Sequence, residues 1–339
     1  MSNSVHELVA QTGRTVLLAG ASGLVGQAIV RRLMGAELRL LCPSHAELDL
    51  TLQQDVEHYM AQHRPDVLII AAGQVGGIGA NQQFPADFCY NNLMINANLL
   101  RAAYLYQVKR VLVLGSSCIY PKFATQPIAE TQLLAGALEP TNDAYAIAKI
   151  AALKLAHSYL LQYQMDIRAL MPTNLYGPGD RFDEQRSHVV PAMMLRLADA
   201  CQAKQPNFDV WGSGTPRREF LHVDDFVNAI IEVLALPCSQ YRSDWLDPAK
   251  PQLSEFFYNV GSGSEVTIGE LAQALCEISK FEGTLRFLTD KADGTPRKRL
   301  DCSRLHAMSA WRPRLSLHEG LTQTWQWYLT ERQLNGAQA

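Results

Sequence analysis

Tyr145 and Lys149 are the two side chains whose types and spacing most directly suggest acid–base chemistry. They stand four residues apart, and on a helix this spacing places both side chains on one face. A nearby ammonium group favours the ionised form of a phenol, so the pair can donate and accept a proton at a substrate oxygen. The Tyr-x-x-x-Lys pattern is also common by chance on helix surfaces, so its value depends on the fold around it.

Hydroxyl and thiol groups follow the apolar run Arg110–Leu114, in the segment Gly115-Ser-Ser-Cys-Ile-Tyr120. If that run is a buried parallel strand, these groups lie at the carboxyl edge of the sheet, where ligands bind in such folds. Hydroxyls at that edge can polarise a carbonyl group. The alternative is that Ser116 and Ser117 cap a turn and that Cys118 is a small buried apolar residue.

A glycine-rich turn, Gly20-Ala-Ser-Gly23-Leu-Val-Gly26, follows the first apolar run and opens a helical segment. Glycines in this context permit a tight turn, let backbone N–H groups approach a pyrophosphate at the helix N-terminus, and let the helix pack closely on the sheet. The spacing is typical of short-chain dehydrogenase folds. The alternative is a turn that binds no ligand.

The end of the second predicted strand normally decides between NAD and NADP. A carboxylate there holds a ribose 2′-hydroxyl, whereas a basic residue accommodates a 2′-phosphate. This stretch is Leu41-Cys-Pro-Ser-His45, which contains neither a carboxylate nor an arginine. The missing carboxylate favours NADP, with Ser44 and His45 as groups that could reach a phosphate. His45 could equally be an exposed loop residue.

Short apolar runs alternate with segments of helical period over the first 170 or so residues, which predicts an α/β fold with a Rossmann-like, doubly wound parallel sheet. The predicted strands are Thr15–Ala19, Leu38–Leu41, Asp66–Ile70, Arg110–Leu114 and Asp166–Met171. A long helix is predicted from Tyr145 to Tyr163, with turn and capping residues in Glu139–Asp143 before it.

A smaller C-terminal lobe is predicted to follow the sheet, because the sequence after Met171 becomes rich in Pro, Gly and Asn. We expect helices at Val189–Ala203 and Val223–Leu236, and a surface excursion at Pro237–Ser254. The predicted division assigns residues 1–174 to an NADP-binding Rossmann domain, joined by about 220–255. Residues 175–219 and 256–339 form the substrate-binding lobe.

The composition is typical of a compact soluble protein: 339 residues, 47% apolar, 19% charged, with a formal net charge of −3. This balance argues against a general affinity for nucleic acids or anionic membranes. Seven dispersed cysteines without a C-x-x-C pair predict neither a disulfide framework nor a metal site. No signal-peptide pattern and no apolar run of roughly 20 residues is seen, so we expect a cytoplasmic protein.

Longer motifs occur in order along the whole chain, and with them the sequence resembles the GDP-L-fucose synthases of the extended short-chain dehydrogenase/reductase family. GSSCIYPK, MPTNLYGP and REFLHVDD are far more specific than the glycine-rich turn. The matching stretches are Gly20–Gly26, Val75–Asn81, Gly115–Lys122, Glu139–Ile150, Met171–Pro178, Ser187–Ala192, Trp211–Asp225, Asn259–Gly263 and Asp293–Lys298.

The resemblance implies a homodimeric enzyme that converts GDP-4-keto-6-deoxy-D-mannose to GDP-L-fucose by C3/C5 epimerisation and NADPH-dependent C4 reduction. It implies that Tyr145 protonates the C4 oxygen and that Lys149 orients the nicotinamide ribose and lowers the pKa of Tyr145. Ser116 would hydrogen-bond the ketone. Cys118 and His188 would be the acid/base pair for epimerisation, which needs one group to remove a proton and another to return it.

Binding positions also follow from the resemblance. The cofactor positions are Gly20, Ala21, Ser22, Gly23, Leu24, Val25, Gly26, Leu114, Gly115, Ser116, Ser117, Lys149, Pro172, Thr173, Asn174, Leu175 and His188. The GDP-sugar positions are Arg196, Trp211, Arg218 and Asp293, and Arg217 would add a second guanidinium near the diphosphate. The arginines that typical members carry after the second strand are absent and Gln74 replaces a lysine, so the choice between NADP and NAD stays open.

Three alternative functions use much of the same sequence. A GDP-L-colitose synthase, acting on GDP-4-keto-3,6-dideoxy-mannose, would share nearly every motif. A UDP-sugar 4-epimerase with retained NAD would use Tyr145 and Lys149 without needing Cys118 or His188. A non-catalytic nucleotide-sugar-binding protein would keep the fold without turnover.

Overall fold

The structure is a computed structural model and describes residues 2–183, 187–290 and 294–336. The strands are β1 (Thr15–Ala19), β2 (Arg39–Leu41), β3 (Val67–Ile70), β4 (Arg110–Leu114), β5 (Ile167–Pro172), β6 (Asn174–Tyr176), β7 (Asn207–Trp211), β8 (Arg217–His222), β9 (Phe257–Val260), β10 (Glu265–Thr267), β11 (Thr284–Leu288) and β12 (Arg297–Lys298). The α-helices are α1 (Ser2–Thr12), α2 (Leu24–Leu33), α3 (Gln53–His63), α4 (Ile78–Gln83), α5 (Pro85–Leu105), α6 (Asp143–Tyr163), α7 (Val189–Gln202), α8 (Val223–Ala235), α9 (Cys238–Tyr241), α10 (Ile268–Ser279), α11 (Ser303–Met308) and α12 (Leu317–Gly336).

The main sheet has six parallel strands in the order β2-β1-β3-β4-β5-β9. Strands β3, β4, β5 and β9 are buried along their whole length, as expected for a parallel sheet that is covered on both faces. The strand order reverses between β1 and β3, and ligands bind at the carboxyl ends of strands beside such a switch point. The predicted α/β, Rossmann-like fold is confirmed.

The predicted elements of the first half lie within one or two residues of the observed ones. Continuous apolar runs produced the strands, and α6 begins two residues before the predicted start, at Asp143. Helix α1 was not predicted. It packs against α8 through the buried side chains of Val5 and Leu8.

Two expectations about the second half need correction. Strand β9 lies in the main sheet, paired with β5 from Ala169–Phe257 to Pro172–Val260, although the predicted division assigned residues from 256 onward to the substrate-binding lobe. The segment Pro237–Ser254 is not purely a surface excursion, because Tyr241 and Trp245 are buried in the main core. The Tyr241 hydroxyl donates to the carbonyl of Phe256 and accepts from the Ala169 N–H, both at 2.9 Å. These bonds hold the excursion against β5.

The smaller lobe contains two short sheets and its own apolar core. One sheet has the order β10-β8-β12, with β6 also pairing with β8, and the other pairs β7 with β11. Helices α7, α10 and α12 pack around them through buried residues such as Leu197, Leu271 and Leu321. No helix in the described part of the chain is long and apolar enough to cross a membrane.

Candidate active site

The glycine-rich turn between β1 and α2 has the shape that a dinucleotide needs. Gly20 adopts a φ of +92°, and a Cβ at Gly20 would lie 2.6 Å from the backbone of Ala72 beyond β3. A Cβ at Gly26 would overlap the Gly20 carbonyl oxygen, so only glycine lets α2 start so close to the turn. Gly23 occupies the N-cap position of α2 without a side-chain cap, which leaves the first N–H groups of the helix available to an anion.

The other predicted cofactor residues of this turn, Ala21, Ser22, Leu24 and Val25, are all at least partly exposed. Beyond β2, however, an unforeseen carboxylate is present: the Ser44 N–H and hydroxyl both donate to Glu47 Oε2 at 2.8 Å. These bonds lower the pKa of Glu47. The Ser44 hydroxyl is therefore already engaged, while His45 is exposed.

Tyr145 and Lys149 lie on one face of α6, as their spacing predicted, and both are buried. Lys149 Nζ donates to the carbonyl of Leu114 at 3.1 Å and lies 5.8 Å from the centre of the Tyr145 ring. The Tyr145 ring packs edge-on against Phe88, with 6.4 Å between centroids. Gly73 follows β3, and a Cβ there would lie 3.6 Å from Lys149 Nζ. Since Lys149 also contacts Leu114, the last residue of β4, the pair lies where the ends of β3 and β4 meet α6.

Burial shifts the pKa values of these two groups toward their neutral forms. Burial raises the pKa of Tyr145, a thiolate at Cys118 would raise it further, and a hydrogen bond with Ser116 lowers it. Burial lowers the pKa of Lys149 to about 8, and the neighbouring Cys118 opposes that change. The expected lowering of the Tyr145 pKa is thus not present in this site, because desolvation of the phenolate outweighs the attractive interactions.

Ser116, Ser117 and Cys118 form a tight turn directly after β4. Ser116 Oγ accepts from the Cys118 N–H at 3.3 Å and lies in hydrogen-bonding range of Tyr145. Ser117 is buried, which favours Ser116 as the hydroxyl that faces a ligand. Gly115 packs against Met171 with no space for a Cβ, so the turn lies close to β5.

The thiol of Cys118 receives two donors that sequence reasoning did not anticipate. Asn142 Nδ2 lies 3.3 Å from Cys118 Sγ, and Lys298 Nζ lies 3.9 Å from the same atom. Asn142 holds the N-cap position of α6, yet its side chain makes no capping bond, contrary to the expectation that Glu139–Asp143 caps this helix. Asn142 lies in the matching stretch Glu139–Ile150 and Lys298 in Asp293–Lys298. Membership of these stretches was the only indication in the sequence that the two residues belong to the site.

His188 is not brought into contact with the other candidate catalytic residues. It is exposed and occupies the N-cap position of α7, where its side chain makes no capping bond. The structure therefore brings together Ser116, Cys118, Tyr145 and Lys149, and the pairing of His188 with Cys118 stays a prediction.

The segment Pro172–Leu175 connects the main sheet to the smaller lobe. The Thr173 N–H donates to the Val260 carbonyl at 2.9 Å. The Thr173 hydroxyl and the Asn174 amide both donate to the Glu219 carbonyl, at 3.1 and 2.8 Å. Pro172 and Thr173 are buried, while Asn174 and Leu175 are partly exposed and accessible to a ligand.

Two of the predicted GDP-sugar residues form one structural unit. The Arg196 guanidinium lies 5.6 Å from the centre of the Trp211 ring, and the Trp211 side chain is 65% exposed. Arg218 lies on β8, where a Cβ on Gly294 would be 3.1 Å from its Nη2 atom. Arg217 forms an ion pair with Glu265 at 3.1 Å, and Arg297 pairs with the same carboxylate at 2.9 Å. Asp293 lies outside the described residues.

Asp180 was missed by sequence reasoning and lies in a loop next to α2. Its loop contacts α2, since Gln27 Nε2 donates to the Gly179 carbonyl at 3.4 Å. Asp180 Oδ1 accepts from the Arg181 N–H at 2.8 Å, whereas Oδ2 is buried without a partner among the described residues. Burial raises the pKa of Asp180 to about 7. The local sequence Gly177-Pro178-Gly179 predicts a loop before Asp180 but does not indicate that its carboxyl group is buried.

Comparison with known proteins gives a consistent assignment. The model of the NAD dependent epimerase/dehydratase family matches residues 16–242. The chain is 48% identical over 315 residues to the GDP-L-fucose synthase of Escherichia coli K12, covering 93% of this chain and 96% of that protein. It is 34% identical to the GDP-L-colitose synthase of Yersinia pseudotuberculosis, covering 94% and 98% of the two chains.

A solved structure of a GDP-L-fucose synthetase from Naegleria fowleri bound to NADP superposes with a TM-score of 0.82 at 25% identity, covering 95% of this chain and 96% of that one. The glycine-rich turn, the buried Tyr145–Lys149 pair and the family match over residues 16–242 agree with one another. The chain belongs to the NAD dependent epimerase/dehydratase family.

Proposed function

We propose that this protein is a GDP-L-fucose synthase that epimerises GDP-4-keto-6-deoxy-D-mannose at C3 and C5 and reduces its C4 ketone with NADPH. The observation that carries the proposal is the convergence of Ser116, Cys118, Tyr145 and Lys149 at the carboxyl end of β4. A reductase alone would need the hydroxyls and the lysine. An epimerisation requires a base as well, and the additional thiol can supply one.

A dinucleotide such as NADPH fits the residues present, because Gly20 and Gly26 let the turn and α2 pack too closely for a Cβ, and no side chain caps the N-terminus of α2. The N-terminus of α2 would hold the pyrophosphate, and Lys149 would hold the nicotinamide ribose. When bound, the nicotinamide supplies a hydride to C4 of the sugar. The partly exposed Asn174 and Leu175 would complete the cofactor site on the side of β6.

The reduction needs a proton at the C4 oxygen, and Tyr145 is the residue that donates it. Burial keeps the phenol protonated at neutral pH, so it is an acid before the reaction begins. Ser116 lies in hydrogen-bonding range of Tyr145 and would hold the ketone oxygen beside the phenol. The Lys149 ammonium stabilises the phenolate that remains after proton transfer.

The epimerisation uses the acidity that the C4 ketone gives to the hydrogens at C3 and C5. Cys118 would remove a proton from one face of the sugar and His188 would return one from the other. The two residues lie on different elements, Cys118 in the turn after β4 and His188 at the N-cap of α7.

The GDP group of the substrate would lie against the smaller lobe. The exposed Trp211 ring offers an apolar face, and the half-buried Arg196 behind it supplies positive charge. Arg218, on β8, would add a second guanidinium for the diphosphate. A net charge of −3 therefore does not prevent anion binding at this site.

Product analysis tests this function and its nearest alternative. Purified protein is incubated with NADPH and GDP-4-keto-6-deoxy-D-mannose, or with the 3,6-dideoxy analogue, and each product is identified by NMR. We expect GDP-L-fucose from the first substrate, formed much faster than any product from the second. The reverse preference would identify a GDP-L-colitose synthase, the function of the more distant relative.

The oligomeric state and compartment belong to the same proposal. Large apolar side chains are exposed on the packed helices α5 and α6, namely Tyr90, Leu105, Ile147 and Tyr163. We expect them to form a homodimer interface, so light scattering should give twice the chain mass of 37.7 kDa. The seven cysteines are free thiols, which suits a reducing cytoplasm.

A further inference from the structure

A segment of the smaller lobe, residues 294–301, crosses onto the loop that follows Cys118, and we call it the strap. The Ile128 N–H donates to the Arg299 carbonyl at 2.8 Å, and the Asp301 N–H donates to the Ile128 carbonyl at 2.9 Å. The Thr295 hydroxyl donates to Glu139 at 3.1 Å. These hydrogen bonds hold the strap at positions before and after Lys298.

The two residues of β12, at the centre of the strap, face in different directions. Side chains alternate along a strand, and Arg297 is exposed and pairs with Glu265 at 2.9 Å. Lys298 is half-buried instead, and its Nζ lies 3.9 Å from Cys118 Sγ. The two side chains have similar length and charge, so they form a natural pair for comparison.

The charged and titratable groups that face Cys118 come from two elements. Lys298 approaches from β12, and Tyr145 and Lys149 approach from α6. Asn142 adds a neutral N–H donor at 3.3 Å. No carboxylate contacts the sulfur in the part of the chain that the structure describes. The sulfur is therefore surrounded by N–H donors and ammonium groups that can hold it in place.

We infer that Lys298, together with Asn142, is a positioning residue that holds Cys118 as the thiolate base of the epimerisation. The inference rests on the proposed function. In the step it supports, the C–H bond beside the ketone breaks, its proton goes to Cys118 Sγ, and its electron pair moves onto the C4 oxygen as an enolate. Because Lys298 belongs to the strap, the base is complete only when the smaller lobe lies against the β4 turn.

Alkylation of the ligand-free protein tests the inference directly. The full-length wild type and the variants K298M, K298R and R297M are treated with limiting iodoacetamide over a range of pH. The rate at Cys118 is read by peptide mass spectrometry, since only the thiolate reacts. We expect K298M to slow alkylation of Cys118 about tenfold at neutral pH, K298R to restore most of the rate, and R297M to behave as the wild type.

An unchanged rate and pH profile in K298M would overturn the inference, as would an equal loss in R297M, which would indicate a general disturbance of the strap. NADPH binding and circular dichroism confirm that each variant is folded. If K298M lost activity while alkylation stayed unchanged, Lys298 would act on the substrate rather than on Cys118.

The proposed function has a separate readout, so the two failures can be told apart. Deuterium exchange into GDP-4-keto-6-deoxy-D-mannose is followed without NADPH. Wild-type exchange that falls about tenfold in K298M, recovers in K298R and stays intact in R297M supports the inference. A wild type with no exchange and no reduction contradicts the proposed function, whatever the alkylation shows. A C118S variant with full exchange contradicts the role of the thiol and with it the inference.

Discussion

Burial sets the chemical state of the two central side chains. The phenol of Tyr145 and the ammonium of Lys149 are removed from water together, which raises the first pKa and lowers the second to about 8. Tyr145 is consequently protonated at neutral pH and can donate a proton. The pKa of Lys149 lies close to neutral pH. Burial therefore keeps Tyr145 in its protonated form, and a change of pH near 8 alters the charge of Lys149.

Replacing Tyr145 by phenylalanine should remove the acid and preserve the site. The ring can keep its contact with Phe88, while the proton donor is lost. We expect kcat to fall by about 10²- to 10⁴-fold, with little change in the Kd for NADPH measured by fluorescence titration. Substantial activity in this variant would exclude Tyr145 as the acid.

The pH dependence should report Lys149. The pKa of about 8 means that the ammonium charge is lost as pH rises through that value, so kcat/KM should fall on the alkaline side. Arginine stays protonated throughout this range, so Lys149→Arg should lower the rate but remove the alkaline decline. An identical decline in both proteins would assign it to another group.

Asp180 should make stability depend on pH in the opposite sense to an ordinary surface carboxylate. Its pKa is raised to about 7, so the folded state keeps the proton over a pH range in which the unfolded state has already lost it, and stability falls as pH rises from about 4 to about 7. Asp180→Asn removes this titration, so it should raise the Tm most at about pH 8 and by a clearly smaller amount at about pH 5. Glu7→Gln, at an exposed position of α1, is the control and should show no such difference.

At the scale of elements, two buried arginines complete the C-terminus of α8. The last carbonyls of a helix lack partners within the helix, and cations are favoured there. Arg168 donates to the carbonyls of Val233 and Leu236, and Arg110 donates to that of Leu234. Both guanidinium groups also pair with Asp166, so β4, β5 and α8 share one buried charge cluster.

Arg168→Met should therefore destabilise the protein. The substitution leaves two buried carbonyls without donors and removes one of the two partners of Asp166. We expect a loss of about 2–4 kcal/mol in the free energy of unfolding, measured by denaturant titration. Arg286→Met, which breaks the exposed ion pair with Asp209, should have a much smaller effect. Equal effects would contradict the structural role of the buried cluster.

Local sequence patterns predicted the elements well, because hydrophobic period depends on neighbours along the chain. The strands β1 and β4 and the helix that carries Tyr145 and Lys149 followed directly from such patterns. Strand β9 was misassigned because its partner β5 lies about 90 residues earlier. The contact of Lys298 with Cys118 spans 180 positions and depends on how the two lobes pack, which no local pattern encodes.

At the scale of the whole molecule, the motif that ends at Asp225 joins the lobes more than it binds ligand. The buried carboxylate of Glu219 accepts the N–H groups of Gly263 and Leu300, at 2.7 and 2.8 Å. That of Asp225 accepts the N–H groups of Arg314 and Leu315, both at 2.9 Å. The sequence identifies this motif as specific but indicates a function only for Trp211 and the arginines, because burial of the carboxylates depends on segments far along the chain.

The main sheet places Tyr145 and Cys118, the proposed acid and the proposed base, at the same strand end, and the smaller lobe adds Lys298. The central claim is that one site performs both reactions, and a single measurement tests it. The protein is incubated with GDP-4-keto-6-deoxy-D-mannose and NADPH in D₂O, and the product is analysed by NMR. We expect GDP-L-fucose with deuterium at both C3 and C5. A product reduced at C4 without deuterium at either carbon would contradict it.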